Sequence, residues 1–238
     1  MLSVCLILIM SFIEGPRSVN AASKNVNLKM ANGALYYGEV KNGKPHGKGT
    51  MKWSANKSYS GEWVNGRREG LGKYIFIEEL IDDALEQPAK YSQTYVYNGV
   101  WKNDRKNGQG TYTEHSNWPY PADQGDLVQK GVFKDNKLIQ GYSIEINAHE
   151  TANYNYKDAE VSIQIWQEKS FPNGYSASFP KNYSELLKII IDNSSISFQK
   201  NGIEQDVSNE KFLKAQLKPY IEGFDQVIKI ANDIGAYI

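Results

Sequence analysis

A phrase recurs along this chain: YYGEVKNGKPHGKGTMKW over Tyr36–Trp53, YSGEWVNGRREGLGKYIF over Tyr59–Phe76 and YNGVWKNDRKNGQGTYTE over Tyr97–Glu114. A weaker copy, GVFKDNKLIQG, covers Gly131–Gly141. Units this short cannot bury an apolar face alone, so they must stack into an array in which each covers its neighbour. Such arrays usually serve as binding surfaces and rarely hold an active site.

Aligned on their first glycines (Gly38, Gly61, Gly99, Gly131), the copies share a register. Tyr36, Tyr59 and Tyr97 stand two residues before that glycine, and Val40, Trp63, Trp101 and Phe133 two after it. Gly47, Gly70 and Gly108 follow at nine residues, and Gly49, Gly72 and Gly110 at eleven. The first two copies lie 23 residues apart, and the later intervals of 38 and 32 are that unit plus insertions at 77–96 and 115–130. Spacing by two places side chains on one face of a strand. Asn42-Gly43 and Asn65-Gly66 tolerate the positive φ of a tight hairpin connection. Glycines weaken a strand and often mark close approach by another group. Each copy therefore reads as a hairpin whose aromatic rings lie across a glycine-bearing second strand.

The pattern Y-x-G-x-[W/V/F]-x-N-G-x-x-x-G-x-G resembles the MORN (membrane occupation and recognition nexus) repeat over residues 36–141. The third copy departs at Asp104, which replaces the turn glycine. The fourth has Gln129 in place of the aromatic residue, and its later glycine, Gly141, falls one place late. The resemblance implies a mainly β fold: an extended antiparallel sheet of stacked hairpins, here followed by a small α+β region over 142–238. It implies no single function, because members of the family differ widely.

Charge balances over the 238 residues, with 27 groups of each sign, but unevenly along the chain. The segments 36–76 and 97–114 carry 11 Lys and Arg against 5 acids, whereas 77–96 has five acids against Lys90. Residues 142–238 hold 9 basic and 13 acidic groups. The repeats thus offer either a surface that attracts phosphate or anionic lipid, or an ordinary solvated sheet face.

Leu2–Ile13 is an apolar run, too short for the roughly 20 residues of a bilayer span. Val19 and Ala21 supply small residues for cleavage after Ala21, so Met1–Ala21 reads as a secretory signal peptide, or as an anchor if uncleaved. The chain is expected to be secreted or held at the cell surface. Cys5, the single cysteine, lies in this segment, which leaves the mature chain without thiol chemistry. Residues 22–35 read as a linker.

The insertion Ile77–Lys90 suggests a short helix stopped at Pro88, and Pro119 and Pro121 predict an irregular loop carrying Trp118 and Tyr120. Beyond Gly141, the alternation Val161, Ile163, Ile165 predicts a strand, with Tyr175–Phe179 as a short partner. Asn182 and Glu185 resemble a capping box for a helix over Tyr183–Asp192. Asn201-Gly202 joins strands Ile196–Gln199 and Ile203–Val207 into a hairpin. From Ser208 a helix is expected, kinked or divided at Pro219, with Leu213, Leu217, Tyr220, Phe224, Val227, Ala231 and Ile234 as an apolar stripe. That stripe suits packing on the C-terminal sheet or, alternatively, a dimer seam. The C-terminal region also offers to cap one end of the repeat sheet.

Catalytic motifs are missing. His46, His115 and His149 lack metal-ligand spacing, and no nucleophile elbow or phosphate-binding glycine loop occurs. Glu39 and Glu62 occupy matching repeat positions, which suits a sheet face better than a catalytic dyad. Asn56, Asn182 and Asn193 lie in glycosylation sequons. The reading is an exported, non-catalytic scaffold without cofactor or metal that presents an aromatic and basic surface to a protein, glycan or envelope partner. Candidate contacts are Tyr37, Lys41, Trp63, Lys73, Trp101 and Lys102; the template tyrosines and glycines are structural. The alternatives are association with anionic membrane and, less favoured, a glycan-acting hydrolase using C-terminal carboxylates. Nothing points to nucleic acid, and the oligomeric state stays open.

Overall fold

The computed structural model describes residues 25–82, 89–117, 125–146, 152–167, 180–207, 211 and 213–236. Thirteen strands form one antiparallel sheet, hydrogen-bonded in chain order. They are β1 (Val26–Lys29), β2 (Leu35–Lys41), β3 (Lys44–Ser54), β4 (Lys57–Val64), β5 (Arg67–Asp82), β6 (Ala89–Lys102), β7 (Arg105–Ser116), β8 (Asp126–Lys134), β9 (Lys137–Ile146), β10 (Ala152–Lys157), β11 (Val161–Gln167), β12 (Ser194–Lys200) and β13 (Ile203–Glu204). The helices are α1 (Tyr183–Asn193), α2 (Lys218–Glu222), which follows a π-helical turn at Leu213–Leu217, and α3 (Asp225–Asp233).

Each repeat is a hairpin: β2–β3, β4–β5, β6–β7 and β8–β9. All four turns use two successive residues of positive φ: Asn42-Gly43, Asn65-Gly66, Asn103-Asp104 and Asp135-Asn136. That backbone matches the twist of paired strands. Pairing then aligns Gly38, Gly49, Gly61, Gly72, Gly99, Gly110, Gly131 and Gly141 in one unbroken row across β2–β9. Over this row lie the template tyrosines. A Cβ on Gly49, Gly72 or Gly110 would strike the ring of Tyr36, Tyr59 or Tyr97 respectively. Each hydroxyl crosses the glycines and donates to a carbonyl beyond them: Tyr36 to Glu39 at 2.7 Å, Tyr59 to Glu62 at 3.1 Å and Tyr97 to Val100 at 3.0 Å.

Beside the glycine row, the second strand of the first three hairpins carries a bulge of two extra residues. The glycines at nine residues sit in it, with φ of 67°, 58° and 116° at Gly47, Gly70 and Gly108. Glu39 and Glu62 fold onto the first two bulges, accepting the backbone N–H of Lys48 at 2.9 Å and of Leu71 at 3.2 Å. Val100 takes the same place against Gly108. The fourth hairpin has one bulged residue, Ile139, between the pairs Val132–Gln140 and Phe133–Leu138. The shorter bulge brings Gly141 opposite Gly131, so Gly141 is the counterpart of Gly49, Gly72 and Gly110 falling one place early, and not the preceding glycine falling late.

Neighbouring hairpins interlock in two ways. Trp63 and Trp101 each donate an indole N–H, both at 3.0 Å, to the carbonyl of Gly49 and Gly72 in the preceding hairpin. Their rings also alternate with the tyrosines. The centroid separations are 5.7 Å for Tyr36–Trp63, 4.9 Å for Trp63–Tyr59, 5.4 Å for Tyr59–Trp101, 5.0 Å for Trp101–Tyr97 and 5.2 Å for Tyr97–Phe133, all edge to face. At the turns, Gly66, Asp104 and Asn136 donate backbone N–H groups to the carbonyls of Pro45, Arg68 and Lys106 one hairpin back. The Asp104 carboxylate accepts the Arg68 N–H at 3.0 Å, and the Asn136 amide oxygen accepts that of Lys106 at 2.9 Å. Pro45 has no N–H to satisfy, so Gly66 needs no side chain. The departure at Asp104 is a cap.

The sheet does not stop at Gly141: β9 pairs with β10, and the pairing continues to β13. What changes is the covered face. In the repeats, the aromatic face is buried by its own rings. From β8 onward, Val128, Ile144, Tyr154, Ile163, Ile165 and Phe198 project to the other face and pack against Leu186, Leu217, Ile221, Phe224, Val227 and Ala231 of the helical segments. The C-terminal stripe is therefore spent within the chain, which favours intramolecular packing over a dimer seam. Asn182 caps α1, its side-chain oxygen accepting the N–H of Ser184 and Glu185, each at 3.0 Å. The Glu185 carboxylate closes on the N–H of Lys181.

Several expectations are corrected. Residues 77–82 of the expected helix continue β5, and Ala89–Lys90 begin β6, because alternation across a paired strand overrides the local helical pattern. The linker contains β1, which pairs with β2 and places Leu28 on the aromatic core. The insertion 115–130 is shortened at both ends by β7 and β8. The hairpin strand expected over Ile203–Val207 is limited to Ile203–Glu204. The terminal helix changes from π to α at Leu217–Lys218, which puts Pro219 in the first turn of α2 where a missing N–H costs nothing, and it divides again at Gly223–Phe224. The signal segment with Cys5, Trp118 and Tyr120, His149 and the strand Tyr175–Phe179 lie outside the described residues.

Trp63→Ala or Trp101→Ala should lower unfolding stability by about 3–5 kcal/mol in a denaturant titration, the usual range for a buried aromatic ring. Asp104→Gly, which restores the turn residue of the first two copies, should cost about 1 kcal/mol through the uncapped Arg68 N–H. Asp104→Asn should stay within about 0.5 kcal/mol of the parent, because Asn136 performs the same capping one hairpin later.

Candidate binding surface

Alternation sorts the six candidate contact residues into three places. Trp63 and Trp101 are only 2% and 4% exposed and belong to the aromatic core. Tyr37, 54% exposed, and Lys73 point to the opposite face, in a cross-strand row with Thr50, Ser60, Asn98, Thr111 and Lys130. Lys41 and Lys102 stand at the hairpin turns, both exposed. The sheet places Trp63, Trp101 and Lys102 around one pocket, whereas Tyr37, Lys41 and Lys73 are not among its lining residues.

It also assembles a trough over β5–β7 on the aromatic face, about 370 Å³ in volume. Its floor and walls include Tyr74, Phe76, Tyr95 and Tyr112. Phe76 and Tyr95 stack at 5.6 Å with planes 17° apart. Two cations enter from the turn side. The Arg68 guanidinium lies 4.2 Å from the Trp101 ring centroid and pairs with the Asp104 carboxylate at 3.0 Å. The Lys106 ammonium lies 3.6 Å from the Tyr112 centroid, with Phe133 at 5.3 Å and Tyr97 at 5.7 Å. Burial holds this ammonium below the usual lysine range, and Glu114 partly offsets the effect. At the far end, Glu114 accepts from the Tyr112 hydroxyl at 2.6 Å and Glu78 from that of Tyr95 at 3.2 Å.

Burial pushes the Tyr97 phenol up to about 12 and raises those of Tyr59 and Tyr112 further, so these hydroxyls stay protonated at neutral pH. A surface of fixed rings, protonated phenols and two cations held on aromatic faces is equipped for recognition. Sequence reasoning missed Arg68, Lys106, Phe76 and Tyr95. Arg68 and Lys106 stand seven residues after their first glycines, a shared position filled by Pro45 and Leu138 in the other copies. Phe76 and Tyr95 continue the two-residue alternation of Tyr74 and Tyr97 outward, a signal hidden by the helix reading of the neighbouring insertion.

Other candidate chemistry is dispersed. Glu39 and Glu62 are occupied with the bulges. His115 pairs with Asp126 at 3.1 Å, and Asp126 also accepts the Ser116 N–H at 2.8 Å. Among the described residues no group of three His, Cys, Asp or Glu could hold a metal ion. No described helix is long and apolar enough to cross a membrane.

The family model for the MORN repeat matches residues 36–56, 59–77 and 97–113, which are the first three hairpins. Alsin from Rattus norvegicus is 41% identical over 49 residues, or 21% of this chain and 3% of that protein. Alsin from Homo sapiens is 49% identical over 41 residues, or 17% of this chain and 2% of its own length. The chain thus spans only a small fraction of these relatives, and the likeness is confined to repeat-sized segments. Three matched segments, laid on three hairpins of one register, show that this chain carries MORN repeats over these residues.

Proposed function

We propose that this chain is an exported, non-catalytic scaffold that holds a protein partner on the aromatic and basic face of its repeats. The observation that carries the reading is the trough over β5–β7, where Tyr74, Phe76, Tyr95 and Tyr112 surround Arg68 and Lys106. Tyrosine, tryptophan and arginine dominate the energetics of protein interfaces, and rings fixed before binding lose little entropy on contact. The trough rests on a sheet whose rings are already interlocked, so it is pre-organised. Export rests on the apolar Leu2–Ile13 run and the small residues Val19 and Ala21.

The test is affinity capture from surface and envelope extracts, with the mature chain 22–238 and its Tyr95→Ala/Lys106→Gln variant as parallel baits. A protein retained by the parent and lost by the variant, at a melting temperature shifted by less than about 4 °C, is the expected result. Equal capture by both baits overturns the trough. A parent-specific component that proves to be a glycan keeps the surface and changes its ligand. For export, N-terminal sequencing of chain recovered outside the cell should begin at Ala22; chain that stays inside and keeps Met1 overturns that part.

A further inference from the structure

The four hairpin turns of the repeats lie along one edge of the sheet, and the residues flanking them pair directly: Lys41 with Lys44, Val64 with Arg67, Lys102 with Arg105, and Lys134 with Lys137. Three of these four pairs set like charges opposite each other, an arrangement that destabilises a hairpin. All seven cations are exposed. Asp104 and Asp135 are the acids of the four turns, and Glu69 reaches the third turn to accept the Asn103 N–H at 2.9 Å, which leaves these flanks and turns at +4. Asp104 is occupied by Arg68 and Asp135 by Arg105. Lys41, Lys44, Lys102, Lys134 and Lys137 make no ion pair among the described residues. Among the described residues only the Lys102–Arg105 pair is relieved, by Asp135, and a repeated local cost left uncompensated in the first and fourth turns is a mark of function rather than of folding.

The opposite edge leans acidic, with Glu78, Glu79, Glu114, Asp126 and Glu145 against Lys52, Lys57 and Lys90. Along β6, the seven residues from Tyr95 to Lys102, which pair with Glu114 and Arg105, separate the two edges by about 23 Å at 3.3 Å per residue. The screening length at physiological salt is only about 8 Å. The acidic edge therefore leaves the basic one unneutralised, and the zero net charge of the chain conceals two separate fields.

We infer that the basic turn edge is a binding site for a linear anionic polysaccharide. Each hairpin advances the edge by two strand spacings, about 10 Å, which is comparable to the length of one disaccharide in an extended chain. One flanking pair per hairpin then meets one carboxylate or sulfate per disaccharide. The ligand class follows from what the edge lacks. Its turns are Asn-Gly, Asn-Gly, Asn-Asp and Asp-Asn, with Val64 as the one apolar flank and no ring to stack a base or enter a bilayer. The choice of an extracellular polymer rests on the exported reading proposed above; the geometry of the edge does not.

The test uses the mature chain with hyaluronan, which bears one carboxylate per disaccharide, and neutral dextran as control, followed by calorimetry at two salt concentrations. Binding should be selective for hyaluronan and weaken as salt rises. The variant Lys41→Gln/Lys102→Gln/Lys134→Gln should lose at least about tenfold in affinity, as removal of three screened contacts requires. Its melting temperature should hold or rise, because like-charge pairs are relieved. Lys73→Gln/Lys130→Gln, on the opposite face, should bind like the parent. No binding to hyaluronan, or equal binding by the turn variant, overturns the inference. Tighter retention on phosphatidylserine vesicles or on oligothymidine than on hyaluronan also overturns it, in favour of lipid or nucleic acid. Persistent trough-dependent protein capture alongside any of these failures sinks the edge alone. Hyaluronan binding without such capture sinks the trough alone.

Discussion

Everything in the repeat half depends on a tyrosine ring lying flat over two glycines. The ring can reach the carbonyl beyond them only because no Cβ stands in its path, at Gly49 for Tyr36, Gly72 for Tyr59 and Gly110 for Tyr97. The hydrogen bond it makes there is worth about 1 kcal/mol. The larger effect is that the folded-over ring exposes an edge and a face to the next hairpin. The indoles of Trp63 and Trp101 meet those surfaces and reach back to a glycine carbonyl in the hairpin before. Glycine, normally a weakness in a strand, here admits the group that binds one unit to the next.

The regular part of this arrangement was legible in the chain because its signals are local. Fixed offsets between aromatic and glycine residues, and Asn-Gly turns, carry strand period and turn type directly. Asp104 looked like a defect because its partner, Arg68, is 36 residues away. The shifted Gly141 likewise made sense only against Gly131 and the narrower bulge at Ile139. The segment Ile77–Lys90 was misread because Glu, Leu and Ala favour a helix in isolation, while pairing with β6 rewards extension. The trough depends on residues such as Phe76 and Tyr95 meeting across two strands with an insertion between them, so no single window of sequence contains it.

A second division concerns the two faces. Rings seal one face of the repeats, while the C-terminal helices seal the other face of the strands that follow. Both cores meet near β7 and β8, where Tyr112 contributes to the aromatic side and Val128 to the helical side. One hydrogen-bonded sheet can therefore carry two hydrophobic cores without thickening into a sandwich. It also leaves the trough face and the turn edge of the repeats clear of the C-terminal helices, so a ligand on either need not displace that packing.

The position two residues after each first glycine reads Val40, Trp63, Trp101, Phe133. Only the middle two can donate an indole N–H backward. Val40 stands in the hairpin that pairs with the short strand β1, and Phe133 fills the volume of the tryptophan without the donor. Gln129, in place of the tyrosine, likewise offers the following hairpin no ring to pack on. The outer two of the four copies are thus marked off from the inner two by their own side chains. The marking is a property of the units themselves, as in a sentence that carries its own punctuation.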